Sequence, residues 1–574
     1  MLPVGMHIHI VPNRNSKPAI LLRESYRENG KVKKRTIANL SSLSLEQAEM
    51  IRLVLKGKKV APSAELFEKL ESKQHGNVDA VTSAIRRLGI NKLIASRSSK
   101  QRDIILGAVA ALIIEPDSKL GITRWWNDST IPRLMNIEGT SEDDVYEAMD
   151  WLFERQDRIE QKLAERHLSE GDMVMYDLTS SYFEGTTCPL AKLGYNRDKK
   201  KGKLQVNYGL IADKRGCPVA VSVFDGNTAD PTTVMPQIEK VRGNFGIKHM
   251  VLVGDRGMLS QKQLDAAKEL EGIDWITALK SGSIRKLFKG GALQLGLFDE
   301  RNLFSLTHDD YPGERLIACR NPELAKLRAH KRVSMLEATQ KDLAKVQKMV
   351  SSGKLKGKDK IGLRVGRVVN KYKMAKHFVL DIRDDGFDFE INQSSVNEES
   401  ALDGIYIVRT SLSEEEISGD DAVRSYKNLS NVERAFRSLK SIDLMVRPIR
   451  HRTENRVRAH IFLCMLAFYV QWHMKEAWRP LLFADEDQEA KKERDPVAPA
   501  KRSLDAIEKV TTKRLGDDTV VHSFRTLLKH LGTITRDWCC STATGAKSDA
   551  VFTIDTTPNP KQQMALDLIR KIIV

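Results

Sequence analysis

The chain has 574 residues, which is long enough for several domains, and its 41% hydrophobic content is typical of a globular protein. No stretch approaches the roughly 20 continuous apolar residues of a membrane helix. Its 93 Lys and Arg residues against 76 Asp and Glu give a formal net charge of +17, which indicates a polyanionic partner such as nucleic acid or, alternatively, a protein that is merely basic. The cysteines lack CxxC spacing, which argues against a zinc finger or a disulfide framework, so we expect free thiols at Cys188, Cys217, Cys319, Cys464, Cys539 and Cys540.

The N-terminal region combines a predicted β-hairpin with helices. No apolar segment follows a basic start, so we expect no signal peptide and a cytosolic chain. Alternating apolar and polar residues flank an Asn-Gly turn at Asn29–Gly30, which is the pattern of a hairpin. Residues 44–71 and 78–167 are predicted to be mainly helical, and the first of these opens on a possible capping box of Ser44 and Gln47.

From residue 172 the pattern changes to strands and helices. Helices are predicted at PTTVMPQIEKV and SQKQLDAAKELEG. The order is three strands in a meander, then helix, strand, helix and strand, which indicates a mixed α/β layer. Near-continuous apolar runs predict the buried strands MVMYDLTSSYF, LQVNYGLIAD, CPVAVSVFDG, HMVLVGD and IDWITALK.

Residues 281–420 interrupt this pattern with short β-like runs and a charged helical stretch over 322–350. The basic segment after that stretch is punctuated by glycines and is predicted to be an exposed loop, and GIYIVRTSL adds one strand. We favour one helix packed on the insertion over a small coiled-coil arm, on the basis of an apolar stripe formed by Leu336, Leu343, Val346 and Val350.

Helices resume at residue 420, and the chain ends in a small, mainly helical tail. One helix covers YKNLSNVERAFRSLK, and an apolar helix covers Ala459–Trp472. His460, in the apolar helix, is predicted to be a core histidine rather than a metal ligand. Ala484–Ser503 is charged and contains prolines, which predicts a linker.

Two aspartates lie at positions that are typical of functional sites. Asp177 lies inside an apolar strand, where an ionised carboxylate is costly unless positive charge compensates it. Asp255 directly follows the strand HMVLVG, and sites in open α/β sheets form at the carboxyl ends of strands. A turn at the strand end is the alternative for Asp177, and a helix cap is the alternative for Asp255.

The third carboxylate, Glu433, lies on an amphipathic helix beside the apolar stripe. It shares a face with Tyr426, Arg437 and Lys440, because spacings of four and seven residues return to nearly the same side of a helix. The alternative is a solvent-exposed ion pair of Glu433 with Arg437.

Carboxylates from two strands and a helix are what two-metal phosphoryl transfer requires, with two Mg²⁺ ions about 3.5–4 Å apart. Neighbouring Lys and Arg side chains would then grip the strand that is cut.

The runs YDLTSSYFEG, VSVFDGNTADPTT, VLVGDRGM and YKNLSNVERAFRSLK, in this order, resemble the DDE-class bacterial insertion-sequence transposases. The closest group has a Y-R-E-K signature around its catalytic Glu, within the insertion-sequence four-like superfamily. The resemblance covers roughly residues 170–475. It implies an RNase H-like mixed-sheet catalytic core with a β-rich insertion. It also implies cleavage of DNA at the element's ends, strand transfer into target DNA, and a homodimer that bridges two ends.

The resemblance makes Asp177, Asp255 and Glu433 the ligands of two Mg²⁺ ions, with Mn²⁺ as a possible substitute. Tyr426 and Lys440 match the outer positions of the signature, and we expect them to contact DNA phosphates.

This sequence departs from the family pattern at one signature position. Leu429 stands where the signature has Arg, so Arg437 or Arg434 is expected to take that role. Some relatives stack a Trp of the insertion on a flipped base, but residues 281–420 contain no Trp, so that role is unassigned.

Two loops carry weaker predictions. Gly226, Asn227 and Asp230 are predicted to form a turn and cap the helix at Pro231, with a place near the site as the alternative. The basic run Tyr195–Lys203 is predicted to be a hairpin loop, with phosphate contact as the alternative.

We expect five segments and a cytoplasmic, nucleoid-associated protein. The rival functions are an RNase H-like nuclease or resolvase without strand transfer, and an inactive, transposase-derived DNA-binding regulator. The segments are a β-hairpin and helical DNA-end-binding region (1–165), the first part of the core (166–280), the insertion (281–420), the catalytic and following helices (421–482), and the linker with a helical tail (483–574).

Overall fold

The computed structural model describes residues 5–13, 16–58, 67–298, 301–485, 494–498, 502–541 and 551–573. The chain forms two compact units, Met1–Gly76 with Gly532–Pro558 and Asn77–Leu531 with Asn559–Val574. Among the described residues, no helix has both the length and the apolar character needed to cross a membrane.

The strands in chain order are β1 (Met6–Val11), β2 (Ala19–Glu28), β3 (Lys31–Asn39), β4 (Phe67–Gln74), β5 (Met173–Tyr182), β6 (Gln205–Ala212), β7 (Pro218–Asp225), β8 (Met250–Gly254), β9 (Ile273–Ala278), β10 (Leu303–Leu306), β11 (Arg315–Arg320), β12 (Phe378–Ile382), β13 (Phe387–Ile391), β14 (Ile405–Thr410), β15 (Thr535–Ser541) and β16 (Val551–Asp555).

The α-helices in chain order are α1 (Leu45–Leu55), α2 (Gly76–Arg87), α3 (Ile90–Ile94), α4 (Lys100–Ile114), α5 (Lys119–Trp126), α6 (Ile131–Met135), α7 (Glu142–Phe153), α8 (Gln156–His167), α9 (Val234–Gly243), α10 (Gln261–Lys268), α11 (Ser281–Lys289), α12 (Pro322–Ser351), α13 (Lys358–Tyr372), α14 (Gln393–Ser400), α15 (Gly419–Arg437), α16 (Glu454–Ala477), α17 (Leu504–Thr512), α18 (Phe524–Leu531) and α19 (Pro560–Arg570).

The first unit contains the predicted N-terminal hairpin. β1, β2 and β3 form an antiparallel sheet, and the Asn29–Gly30 turn that joins β2 to β3 has positive φ at both residues, as a tight hairpin turn requires. α1 begins at the predicted capping box, where Ser44 and Gln47 exchange hydrogen bonds. Ala48 of α1 is buried in an apolar cluster with residues of β1 and β2. The hairpin and the capping box are therefore confirmed.

One prediction for this unit is wrong. Residues 67–71, predicted to be helical, belong to β4. The described part of the tail is mainly helical, as predicted, with α17, α18 and α19, but it also contributes the strands β15 and β16. The three strands make one antiparallel sheet in the order β16, β15, β4. β4 and β15 stabilise each other by pairing although they lie far apart along the chain. Such pairing leaves no periodic signal in either segment alone.

The second unit is built on a mixed eight-stranded sheet with the order β10-β11-β14-β9-β8-β5-β6-β7. β5, β6 and β7 form the predicted antiparallel meander, and β8 and β9 run parallel to β5. β14, β11 and β10 continue the sheet with antiparallel pairing. The strands predicted between residues 172 and 280, and the one at GIYIVRTSL, are confirmed, as is the mixed α/β class.

Helices cover this sheet with apolar surface. α4 is buried along residues 104–114 and packs against α7 and α16. α16 extends beyond both ends of the predicted apolar helix and also packs on β7. His460 of α16 is buried, with Lys119 Nζ 3.2 Å from its Nδ1 and the Val446 carbonyl 3.2 Å from its Nε2. The prediction of a core histidine is confirmed.

The insertion is mainly helical, so the prediction of a β-rich insertion is wrong. α12 and α13 form a helical hairpin that shares an apolar cluster with the hairpin of β12 and β13. We call residues 322–391 the insertion lobe. The predicted stripe of α12 lies in this cluster, which confirms the packed-helix interpretation. The segment predicted to be a loop is α13, because Ile361, Val365 and Val369 form one apolar face despite the basic and glycine-rich composition. Within the predicted linker Ala484–Ser503, residues 486–493 and 499–501 lie outside the described residues.

Candidate active site

Asp177 and Asp255 lie side by side because of the register between β5 and β8. These strands are parallel neighbours, and Tyr176 pairs with Gly254. The next residue along each strand direction is an aspartate. Asp255 therefore follows the carboxyl end of β8, as predicted, while Asp177 lies in the middle of β5, half-buried between β8 and β6.

The electrostatics of Asp177 connect it to the other two carboxylates. Burial is the main cause that raises the pKa of Asp177 to about 7, and the negative charges of Asp255 and Glu433 contribute to the same shift. A hydrogen bond of 2.8 Å from the Leu178 backbone N–H and the charge of Arg197 act in the opposite direction. Asp177 thus lies within electrostatic reach of both predicted partners and of one arginine.

Glu433 lies on α15, which packs across β5, β8 and β9. The apolar stripe of the helix faces the sheet, with Val432 fully buried and the Phe436 ring 5.9 Å from the ring of Tyr208 on β6. Glu433 itself is exposed beside this stripe. Amphipathic packing therefore presents the carboxylate at the edge of the helix–sheet contact, as the periodicity predicted.

Tyr426, two turns before Glu433, lies on the same side of α15 as the aspartates. Its hydroxyl is 3.5 Å from Oδ1 of Asp255, a long hydrogen bond in which the tyrosine donates. Burial raises the pKa of Tyr426, and the negative charge of Asp255 adds to this effect. The structure thus brings together Asp177, Asp255, Glu433 and Tyr426.

The remaining residues of the signature helix differ in exposure. Leu429 is buried in the apolar stripe. Arg434 and Arg437 are both exposed, and Arg434 donates a hydrogen bond of 2.9 Å to the Asn431 side chain. Lys440 is buried in the π-helical turn Ser438–Ile442 that continues α15. The predicted phosphate contacts of these side chains remain predictions.

Lys440 contacts a buried acid. Its Nζ is 3.1 Å from Oδ1 of Asp198, and Arg447 forms a second ion pair with the same carboxylate. The other oxygen of Asp198 accepts a 3.0 Å hydrogen bond from the Tyr182 backbone. These contacts fix the loop between β5 and β6 next to the end of α15.

Arg197, from the same loop, was not predicted as a site residue. It pairs with Asp230 at 2.5 Å, and its backbone N–H donates to Ser180 Oγ at 3.2 Å. The basic run Tyr195–Lys203 was the only sequence signal, and it does not distinguish Arg197 from its lysine neighbours. Arg197 lies near Asp177 because the loop folds back onto β5 at this residue.

The contact of Arg197 also corrects the prediction for the GNTAD block. The Gly226 turn is present, since the Thr228 backbone N–H donates to the Asp225 carbonyl at 3.0 Å. Asp230 does not cap the following helical turn, because the N-cap is Ala229 and no side chain caps it. The Asp230 carboxylate instead binds Arg197, since a guanidinium offers a stronger charged hydrogen bond than a backbone N–H.

The arrangement fits divalent metal ions with oxygen ligands. Mg²⁺ and Mn²⁺ bind carboxylates and water, and the three carboxylates comprise one half-buried and two exposed side chains. The raised pKa of Asp177 reports an excess of negative charge and burial that a cation would offset.

Comparison with known proteins defines the class of the chain. The family described as transposase DDE domain matches residues 174–470, which is more than half of the chain, and the chain belongs to this family of DDE transposases. The family described as IS1634 family transposase, N-terminal domain, matches residues 8–65. The two matches together confirm the resemblance to DDE-class insertion-sequence transposases.

One solved structure that matches this chain is the cryo-EM structure of the piggyBac transposase synaptic complex with hairpin DNA. Its chain has 8% sequence identity to this one and a TM-score of 0.33, over 79% of this chain and 77% of that chain. A search of curated proteins gave no match.

Proposed function

We propose that this transposase cuts DNA at the ends of its own insertion sequence and joins those ends to target DNA. The observation that carries the proposal is the grouping of Asp177 of β5, Asp255 at the end of β8 and Glu433 of α15, connected by register, by helix packing and by the shifted pKa of Asp177. The match of residues 174–470 to the transposase DDE domain supports it.

The three carboxylates would hold two divalent metal ions, Mg²⁺ or Mn²⁺. When bound, such ions supply positive charge that activates the attacking oxygen and stabilises the leaving oxygen of a phosphodiester. Tyr426 would orient Asp255 through its hydroxyl. Arg197 would complement the negative charge beside Asp177.

DNA phosphates would be bound by the exposed side of α15. Tyr426, Arg434 and Arg437 lie along the helix that carries Glu433. Lys440 forms an ion pair with Asp198, so we propose that it anchors the loop that carries Arg197. A direct contact between Lys440 and a DNA phosphate would require this ion pair to break. A guanidinium at position 434 or 437 would serve in place of the arginine that Leu429 replaces.

The strand order β7-β6-β5-β8-β9 supports an RNase H-like core. Three antiparallel strands followed by two parallel strands, with α15 across them, match the arrangement expected for that fold. We assign residues 166–280 and 421–482 to this core and residues 281–420 to the insertion. Residues 1–165 would bind the ends of the element, and the match of residues 8–65 to an N-terminal transposase domain supports this. We also propose a homodimer on DNA and a cytoplasmic location.

The proposal is tested with purified protein, Mg²⁺ and a duplex that carries the inverted repeat flanking its own gene. We expect cleavage at the repeat boundary by the wild-type chain and no cleavage by Asp177→Asn, with equal binding of the duplex by both. Cleavage that persists in Asp177→Asn would contradict the assignment of the site. Specific binding without cleavage, in Mn²⁺ as well as Mg²⁺, would indicate the regulator instead.

A further inference from the structure

A second cluster of metal-ligating side chains uses none of the carboxylates discussed above. His167 ends α8, Cys217 precedes β7, and His473 lies in α16. Each offers one ligand atom, and these atoms all lie within 4.8 Å of one another. Cys217 and His473 are buried, and the His167 side chain is 3% exposed.

The distance between the thiol and one imidazole suits a tetrahedral ion. Cys217 Sγ lies 3.8 Å from Nε2 of His473. For Zn²⁺, with Zn–S near 2.3 Å and Zn–N near 2.0–2.1 Å, tetrahedral ligands of these two types are separated by about 3.6 Å. A site with histidine and cysteine ligands binds zinc in preference to magnesium or calcium.

His167 has the tautomer that a ligand needs. Nη2 of Arg215 is 3.2 Å from its Nδ1, and a guanidinium can only donate, so Nδ1 carries the lone pair. The proton is then on Nε2, which donates to the Tyr469 hydroxyl at 2.9 Å. A neutral imidazole whose second nitrogen is held by a hydrogen bond is the usual state of a metal-bound histidine.

A buried carboxylate faces the same nitrogen. Oδ2 of Asp213 lies 3.9 Å from Nδ1 of His167, and the backbone N–H groups of Arg215 and Cys217 fix Oδ1 with hydrogen bonds of 2.9 Å each. The Arg215 guanidinium bridges the two groups, 2.7 Å from Oδ2 of Asp213. The positive charge of Arg215 thus lies between Asp213 and His167. The Arg215 side chain is 55% exposed and can move into solvent.

We infer that His167, Cys217 and His473 bind one zinc-type ion that is structural, and that Asp213, which lies outside the 4.8 Å cluster, moves toward the ion when Arg215 leaves. On binding, the Cys217 thiol releases its proton to solvent, and Arg215 leaves Nδ1 of His167. The ion joins the end of α8, the β6–β7 turn and α16.

This site also bears on the helix that carries Glu433. Gly216, in the β6–β7 turn, has φ +86°, and a Cβ there would lie 2.6 Å from Cβ of Asn431. Asn431 precedes Glu433 by two residues on α15. A metal ion that fixes the turn therefore fixes a surface against which the helix of Glu433 packs.

The test measures metal content and cobalt spectra of the full chain in the Asp255→Asn background, which weakens the carboxylate site. We expect one Zn²⁺ per chain, and with Co²⁺ a thiolate-to-metal charge-transfer band in the near ultraviolet. Cys217→Ser and His473→Gln should each abolish the band. Cys319→Ser is the matched control, because Cys319 is equally buried but bonds to a backbone carbonyl, and it should keep the band.

Arg215→Gln provides a measurement that does not depend on the folding of the ligand variants. Removing the competing cation should tighten Co²⁺ binding about tenfold, because the guanidinium charge no longer repels the ion. Absence of the band in the wild-type ligand set, or its persistence in Cys217→Ser, would overturn the inference. The readouts involve no DNA, so their failure is separate from a failure of the proposed transposition.

Discussion

At the scale of single residues, Asp177 combines partial burial with a raised pKa, and both support its proposed role as a metal ligand. Its pKa of about 7 in the folded chain exceeds the usual aspartate value of 3.8, so the folded state favours the protonated form. Stability from this residue is complete below the unfolded pKa and is lost as pH rises through the folded pKa. A bound cation would reverse that preference.

We therefore predict opposite effects of Asp177→Asn on activity and on stability. Cleavage should fall by at least about 10³-fold, because each metal ligand supports several kcal/mol of transition-state stabilisation. In EDTA, the variant should be more stable than the wild type at pH 8 and similar at pH 4, measured by urea unfolding. A variant that is less stable at pH 8 would show that the carboxylate has a structural partner instead.

Asp198 is the residue at which a structural role is expected to dominate. Asp198→Asn leaves the buried Lys440 without its acid, and breaking a buried ion pair in this way costs about 3–5 kcal/mol. Urea unfolding should show this loss. Asp420→Asn is the control, because the Asp420 side chain is 52% exposed and its pair with Arg424 is worth at most about 1 kcal/mol. Equal losses in the two variants would contradict the anchoring role of Asp198.

At the scale of elements, the strands of the core were predictable because each is a short apolar run that is buried on both faces. The same reasoning placed Asp255 at a strand end and Glu433 beside an apolar stripe. It failed for α13, whose glycines and lysines hide a stripe of Ile361, Val365 and Val369. It also failed for β4, whose partner β15 lies near the other end of the chain.

The insertion lobe has its own apolar cluster, so it should unfold locally when that cluster is damaged. Leu343 is fully buried there, and Leu343→Ala should destabilise the lobe by about 2–5 kcal/mol. Hydrogen exchange should accelerate in α12 and α13 while β5 and β8 stay protected. Leu327→Ala, at a position that is 67% exposed on the same helix, should leave exchange unchanged. Faster exchange throughout the sheet would refute an independent lobe.

At the scale of the whole molecule, the charge of +17 predicted a polyanionic partner but not the surface that binds it. The grouping of three carboxylates with Arg197 depends on strand register and on a loop that folds back, and neither is encoded in local periodicity. The first unit likewise joins segments from both ends of the chain, which no pattern within either segment reveals.

DNA binding should depend steeply on salt, because each neutralised phosphate contributes about −0.9 to the slope of log K against log salt. Arg437→Gln should weaken binding of the end duplex and reduce the magnitude of this slope by about one. Arg514→Gln is the control, since Arg514 is paired with Asp518. A slope unaffected by Arg437→Gln, measured by fluorescence anisotropy, would remove α15 from the DNA contacts.

The most direct test of the account is strand transfer. A duplex that ends in the element's free 3′-OH is incubated with supercoiled plasmid, Mg²⁺ and either the wild-type chain or Glu433→Gln. We predict that the wild type joins the duplex to the plasmid and that Glu433→Gln binds the duplex but joins none of it. Joining by Glu433→Gln at the wild-type rate would contradict the three-carboxylate site, and cleavage without joining by the wild type would identify a nuclease.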